Sequence, residues 1–171
     1  MHVFQYMKYK IVKINNFSGY KATIYSVIME DENETLLNKF VKETEITFKS
    51  ETKDVLKRLY SIGHTTGARS QFFKEWEGKP GDGVCALFDS PNSNLRLYCI
   101  YFGSQLIVVG GGGHKPKNIR TLQQDDKLKA ENYLLRKISE QITQRIKDKE
   151  ISYTKDYLNF EGNLEFNEEE K

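Results

Sequence analysis

The residues of this sequence best suited to chemistry are a set of cations and one histidine that could act on a phosphate group. Arg96 carries a planar guanidinium whose donors match phosphate oxygens and which stays protonated at any working pH. Lys115 and Lys117 would add ammonium charges, and His114 could protonate a leaving oxygen because imidazole titrates near neutral pH. Their closeness in the sequence predicts a phosphate-binding site.

Each of these residues also has a structural interpretation. Arg96 could form an ion pair with Asp89 or Glu77. The two lysines could be solvated residues of a surface loop, and a single loop histidine such as His114 is often an ordinary surface residue. The phosphate site therefore depends on whether the fold brings these side chains together.

Two strands and a glycine run must position these side chains. Their β-branched and aromatic residues indicate strands at 95–101 and 106–109, joined by a hairpin turn that contains a Gly-Ser pair. Because side chains on a strand alternate between its faces, Arg96 and Tyr98 share one face, about 7 Å apart. We interpret the other face as core. The glycines at 110–113 are expected to loosen the chain into a basic loop.

Several other kinds of chemistry do not fit the sequence. The glycine run is not a nucleotide-binding loop, because that motif needs Gly-Lys-Ser/Thr at the start of a helix and here Lys115 is followed by Pro116. The three histidines are far apart and have no Cys or Asp at ligand spacing. No Gly-x-Ser-x-Gly elbow is present. We therefore expect no metal and no cofactor.

The remaining pattern predicts a mixed fold with one main domain. Two runs rich in Ile, Val and Tyr indicate an N-terminal hairpin, helical periodicity indicates two short helices and one long helix, and a further strand precedes the Arg96 hairpin. The hairpin is expected at 9–14 and 22–28, and the further strand at 84–88. The first short helix is expected at about 34–44 with Asp31 or Asn33 as its cap, and the second from Ser50 to near Gly63. The long helix is expected at 125–147. Residues 1–150 form the predicted domain and 151–171 an aromatic, acidic tail.

Composition and charge favour a cytoplasmic protein with acidic partners. The chain has 171 residues and only two cysteines, Cys85 and Cys99, both in apolar runs where buried thiols are expected. No run is long enough for a signal peptide or a membrane helix. The formal net charge is +2, and because residues 161–171 carry −4 the rest carries +6. This charge permits nucleic-acid binding without proving it.

The order of these elements and motifs resembles the RelE/ParE toxin superfamily, nearest to HigB and phage-derived HigB-like members. The resemblance covers roughly residues 22–145. It rests on two helices, the run 72–78 (FFKEWEG), a strand, the strand 95–101 (LRLYCIY), the run 106–109 (LIVV) and a basic loop. The fold it implies is α+β, with a small antiparallel sheet packed against two N-terminal helices and one long C-terminal helix, plus the extra N-terminal hairpin.

The resemblance implies a toxin of a bacterial toxin–antitoxin pair that cleaves mRNA on the ribosome without a metal. Its partners would be a cognate antitoxin, mRNA and the ribosome, with no membrane and no small-molecule cofactor. Arg96 matches the family's phosphate-gripping arginine, and Lys115 and Lys117 match its basic residues after the last strand; His114 is a candidate acid. The expected RNA contacts are Tyr98, which could stack on a base or pack on the sheet, and the basic residues Lys74, Lys79 and Arg120.

Two departures from the family pattern leave other functions open. The strand at 84–88 lacks the lysines that the family carries there, and the N-terminal hairpin and acidic tail lie outside the usual toxin. One alternative is a non-catalytic protein of this fold that binds a target such as gyrase, as the ParE branch does. Another is a regulatory module that binds RNA or protein and has lost the chemistry.

Overall fold

The computed structural model describes residues 7–74, 83–88, 90–115 and 125–167, which form a mixed α+β fold. The predictions for Lys79, Lys117 and Arg120, and the ion-pair partners Glu77 and Asp89, fall outside the described residues. The helices are α1 (Leu36–Thr44), α2 (Lys49–Ser61) and α3 (Asp126–Lys147). The strands are β1 (Tyr9–Lys13), β2 (Thr23–Met29), β3 (Phe73–Lys74), β4 (Val84–Leu87), β5 (Leu95–Tyr101), β6 (Leu106–His114), β7 (Ile151–Tyr153), β8 (Phe160–Gly162) and β9 (Glu165–Phe166).

The main sheet is larger than predicted and is not purely antiparallel. It has seven strands in the order β3-β4-β5-β6-β2-β1-β9, while β7 and β8 form a separate hairpin. The predicted N-terminal hairpin is confirmed, with β1 antiparallel to β2. Strand β2 pairs with β6 in parallel, and the two helices and three strands between them along the chain provide the long connection that a parallel pair needs. The predicted α+β class, with two early helices and one long late helix, is confirmed.

Both faces of the sheet are covered, which differs from the prediction for β5. Helices α1 and α2 pack on one face together with Leu97 and Cys99, and α3 packs on the other with Tyr98 and Ile100. The face expected to be open is therefore also core, and on it Arg96 remains only partly buried. The sequence could not show this, because the covering helix comes from far along the chain.

The short helices lie where helical spacing predicts them, but their first residues differ. Helix α1 is capped by Thr35, whose hydroxyl accepts a hydrogen bond of 3.0 Å from the Asn38 amide, rather than by Asp31 or Asn33. Ser50 does not cap α2, because it lies inside the helix and Phe48 occupies the cap position without a side-chain hydrogen bond.

The glycine run does not form a loop. Strand β6 continues through it to His114 and stays paired with β5. Opposite Tyr98 the register changes, since Leu97 pairs with Gly112 and Cys99 with Val109, so β6 holds one extra residue in a β-bulge. The glycines thus belong to a strand in the middle of the sheet.

Helix α3 agrees with its prediction. It begins after Asp125, whose Oδ1 accepts a 2.7 Å hydrogen bond from the Leu128 amide. Leu128, Leu135 and Ile138 are buried from this helix against the sheet. No described helix is long and apolar enough to cross a membrane.

The described part of the predicted tail is built into the fold. Strand β9 pairs with β1 at the edge of the sheet. The buried Arg145 of α3 donates hydrogen bonds of 2.8 and 2.7 Å to the carbonyls of Asn163 and Glu165. Its guanidinium lies 3.7 Å from the ring centroid of Phe166. One arginine therefore holds this segment against the domain.

Candidate functional site

The sheet brings three predicted site residues to one end. Arg96 pairs with Gly113 and Leu95 with His114, near the start of β5 and the end of β6. The Lys115 amide extends this pairing with a 2.7 Å hydrogen bond to the Asn94 carbonyl. Arg96, His114 and Lys115 therefore lie on neighbouring rungs of one ladder, as the phosphate-site prediction requires.

Their side chains nevertheless diverge. Cross-strand partners share a face, so Arg96 points to the α3 side while His114 points to the other side. There the imidazole stacks on Phe48 with ring centroids 4.9 Å apart. The Lys115 ammonium donates to the Ser90 carbonyl at 2.7 Å and to the Ser93 hydroxyl at 3.0 Å. The structure thus does not gather these groups around one pocket.

Two of the predicted RNA-contacting residues do not join Arg96 in a site: Tyr98 is inaccessible and Lys74 lies at a distance. Tyr98 is 0% exposed within the core, so neither face of its ring is available to stack on a base, and the prediction of that role is corrected. Lys74 is exposed on the edge strand β3, opposite Ala86. Two strand spacings separate β3 from β5, the strand that carries Arg96, which is about 10 Å.

A different group of charged residues lies beside Arg96 on the α3 side. A Cβ atom placed on Gly113 would meet the Lys127 side chain at 3.5 Å, and one on Gly111 would lie 2.0 Å from Oε2 of Glu131. Directly opposite residues have Cβ positions about 5 Å apart, so the Arg96 side chain starts next to the stem of Lys127. We call Arg96, Lys127 and Glu131, above the backbone of Gly111 and Gly113, the glycine-floor cluster.

The glycines explain how α3 can approach the strand so closely. A side chain at Gly111 would occupy the place of the Glu131 carboxylate. At Gly110 a Cβ would lie 2.9 Å from the methyl groups of Leu135. The absence of side chains on this bulged stretch lets a carboxylate rest on backbone, which is a use of glycine at sites of close approach.

The electrostatics of Glu131 are unusual for a surface helix. Its side chain is 19% exposed, and the Lys127 ammonium lies 3.9 Å away. That ammonium also lies 3.4 Å from the Glu43 carboxylate of α1. Burial raises the pKa of Glu131 above its ordinary value; Lys127 and Lys39 oppose this rise and Glu43 adds to it. A carboxylate perturbed by burial beside a cation is a typical component of a functional site.

The prediction from the sequence found Arg96 but missed Lys127 and Glu131. One signal was present: position 131 falls between Leu128 and Leu135 at the three- and four-residue spacing of the buried stripe of α3. A glutamate at this position must face the sheet, which is unusual for a charged residue and indicates a candidate functional residue. Its partner Gly111 could not be identified, because the register of a helix on a sheet is a tertiary feature.

Among the described residues, no group of three His, Cys, Asp or Glu side chains could hold a metal ion. The chain matches no protein-family model, no curated protein and no solved structure.

Proposed function

We propose that this protein is the toxin of a bacterial toxin–antitoxin pair, a metal-free endoribonuclease that cleaves mRNA on the ribosome. The observation that carries the proposal is the glycine-floor cluster, which places Arg96 and Lys127 next to a perturbed carboxylate at one end of the sheet. The order of two helices, four antiparallel strands and a long helix is compatible with the RelE-like layout expected from the sequence.

The cluster supplies what cleavage by an internal nucleophile requires. The 2′-oxygen forms a bond to phosphorus, the bond to the 5′-oxygen breaks, and negative charge grows on the phosphoryl oxygens. The Arg96 guanidinium suits this charge because it presents paired donors, and Lys127 adds a second positive charge. The departing 5′-oxygen takes a proton from water. The upstream product then ends in a cyclic phosphate.

The proposed partners are those that the sequence resemblance implies. The mRNA phosphate would contact Arg96, the ribosome would present the message, and an antitoxin would block the reaction by covering the glycine-floor cluster. Both α3 and β5 contribute to this cluster, so a protein bound across them would close it.

A second candidate function is binding without chemistry. Stacking of His114 on Phe48 and the contacts of Lys115 with the 90–93 turn give both residues structural roles. Two cavities of about 230 and 410 Å³ also adjoin at Arg58 and Phe88, away from the cluster. Such cavities fit a protein that acts by holding a target.

Expression in bacteria with mapping of mRNA ends distinguishes these candidates. The first predicts growth arrest and new cuts within translated frames, both suppressed by co-expression of the neighbouring gene. Arg96→Ala should abolish the cuts, whereas Arg69→Ala, which removes an exposed arginine elsewhere, should not. Arrest without cuts would favour the binding function, and cutting that survives Arg96→Ala would contradict the assignment of Arg96.

A further inference from the structure

The carboxylate of Glu131 is the one acidic group of the glycine-floor cluster. It rests on the Gly111 backbone, two residues along β6 from Gly113, the strand partner of Arg96. Residues two apart on a strand are about 7 Å apart and share a face, so Glu131 of α3 and Arg96 of β5 both lie on the α3 side of this stretch of β6. A phosphate held by Arg96 would have its adjoining ribose within range of this carboxylate.

We infer that Glu131 is the general base of the proposed cleavage, accepting the proton of the attacking 2′-hydroxyl. This inference rests on the proposed function and adds a residue that the sequence prediction did not include. The proton moves from the 2′-oxygen to a carboxylate oxygen of Glu131 as the new bond to phosphorus forms. Glu131 afterwards returns the proton to water, so the enzyme is unchanged at the end.

The surroundings of Glu131 suit this role. Burial raises the pKa of Glu131, and a carboxylate of raised pKa is a stronger base than an ordinary one. The charged groups that act on it are Lys127 from its own helix and Glu43 and Lys39 from α1, while Arg96 belongs to β5, opposite Gly113. The Lys127 ammonium lies between the two carboxylates, 3.4 Å from Glu43 and 3.9 Å from Glu131.

The place of the carboxylate depends on the bare backbone beneath it. Its residue lies between the buried Leu128 and Leu135 of α3, and its oxygen occupies the space above Gly111. Gly111→Ala would therefore push the carboxylate away by about 1 Å, from 2.0 Å to at least the 3.0 Å that a Cβ contact requires. Displacements of about 1 Å at a reacting centre can cost about 100-fold in rate.

The test measures the rate of cleavage of ribosome-bound mRNA by the full-length protein across a range of pH. Glu131→Gln keeps the size of the side chain and removes its basicity, so we expect the rate to fall by about 10²–10⁴-fold. The loss of rate on the acid side, which reports protonation of the base, should disappear in this variant. Glu140→Gln is the matched control, because Glu140 lies exposed on the same helix and pairs with Lys137.

The outcomes separate the inference from the proposed function. Unchanged cleavage by Glu131→Gln, with the same acid limb, would overturn the role of Glu131 and leave the nuclease intact. A wild-type protein that never cuts RNA would overturn both. Loss of cleavage in Glu131→Gln and Gly111→Ala, with retained folding and full activity of Glu140→Gln, would support the inference.

Discussion

Alanine substitutions at two neighbouring glycines of β6 should differ greatly in how much they destabilise the fold. The added methyl group is the same in Gly111→Ala and Gly112→Ala, and neither glycine has a positive φ. The two positions differ in the atoms that the added Cβ would contact. At Gly111 a Cβ would meet a flexible carboxylate, whereas at Gly112 it would lie 1.9 Å from the Arg96 carbonyl oxygen and 3.0 Å from the Leu97 Cα.

The expected magnitudes follow from what has to move. At Gly112, strands β5 and β6 must separate by about 1 Å to reach the 3.0 Å limit, in the centre of the sheet. Weakening about two ladder hydrogen bonds costs about 1 kcal/mol each, and overpacking costs about 1–3 kcal/mol. Together they lower the free energy of unfolding by about 3–5 kcal/mol. Gly111→Ala should change the free energy of unfolding by less than about 1 kcal/mol, because the carboxylate can swing away and alanine suits a strand better than glycine.

Thermal and urea unfolding of the purified variants measure this difference. At about 2–4 °C per kcal/mol for a protein of this size, Gly112→Ala should lower the midpoint by about 6–20 °C and Gly111→Ala by less than about 4 °C. Equal losses for the two variants would refute the proposed register of α3 and β5 on the glycine run. So would a stable Gly112→Ala protein.

Three further predictions concern stability and reactivity. Arg145→Ala should destabilise the fold by about 3 kcal/mol, since it removes two charged hydrogen bonds and the contact with Phe166, and proteolysis should then release the segment after α3. The pKa of Glu131 is raised in the folded state, so its ionised form opposes folding above that pKa. At pH 7 the free energy of unfolding of Glu131→Gln should therefore equal or exceed that of the wild type. In acid this advantage should disappear, which urea titration at several pH values would measure. Burial raises the pKa of the Cys99 thiol, so a thiol reagent should modify it only after denaturant is added.

The elements that local sequence determines were the most predictable. Helix α3 shows both a capping residue, Asp125, and a continuous apolar stripe, and both act as expected. The N-terminal hairpin was equally readable from its β-branched runs. The cap of α1 was misplaced because Asp31, Asn33 and Thr35 all suit a helix start, and only the local geometry selects Thr35.

The glycine run shows where local reasoning fails. Consecutive glycines favour a loop in isolation, but here cross-strand pairing with β5 and close packing of α3 hold them in a strand. The same helix buries Tyr98, which local alternation alone left on an accessible face. Both errors arise from a contact between residues far apart in the sequence.

The candidate site was predictable in part. Arg96 could be chosen because an arginine stands in an otherwise apolar strand, and it is the only predicted catalytic residue that joins the glycine-floor cluster among the described residues. Lys127 and Glu131 required the packing of α3 to be known. His114 and Lys115 lie at the same end of the sheet as Arg96, as predicted. Their side chains point away from Arg96, because His114 stacks on Phe48 and Lys115 donates to the Ser90 carbonyl.

The most direct test of the central claim is the chemistry of the RNA ends after cleavage of ribosome-bound mRNA. Attack by the 2′-hydroxyl without a metal must leave a cyclic phosphate, or its hydrolysed phosphate, upstream and a 5′-hydroxyl downstream. We expect these ends with the wild-type protein and no cut with Arg96→Ala. Cuts that leave a 3′-hydroxyl and a 5′-phosphate, or cuts that persist without Arg96, would contradict the account.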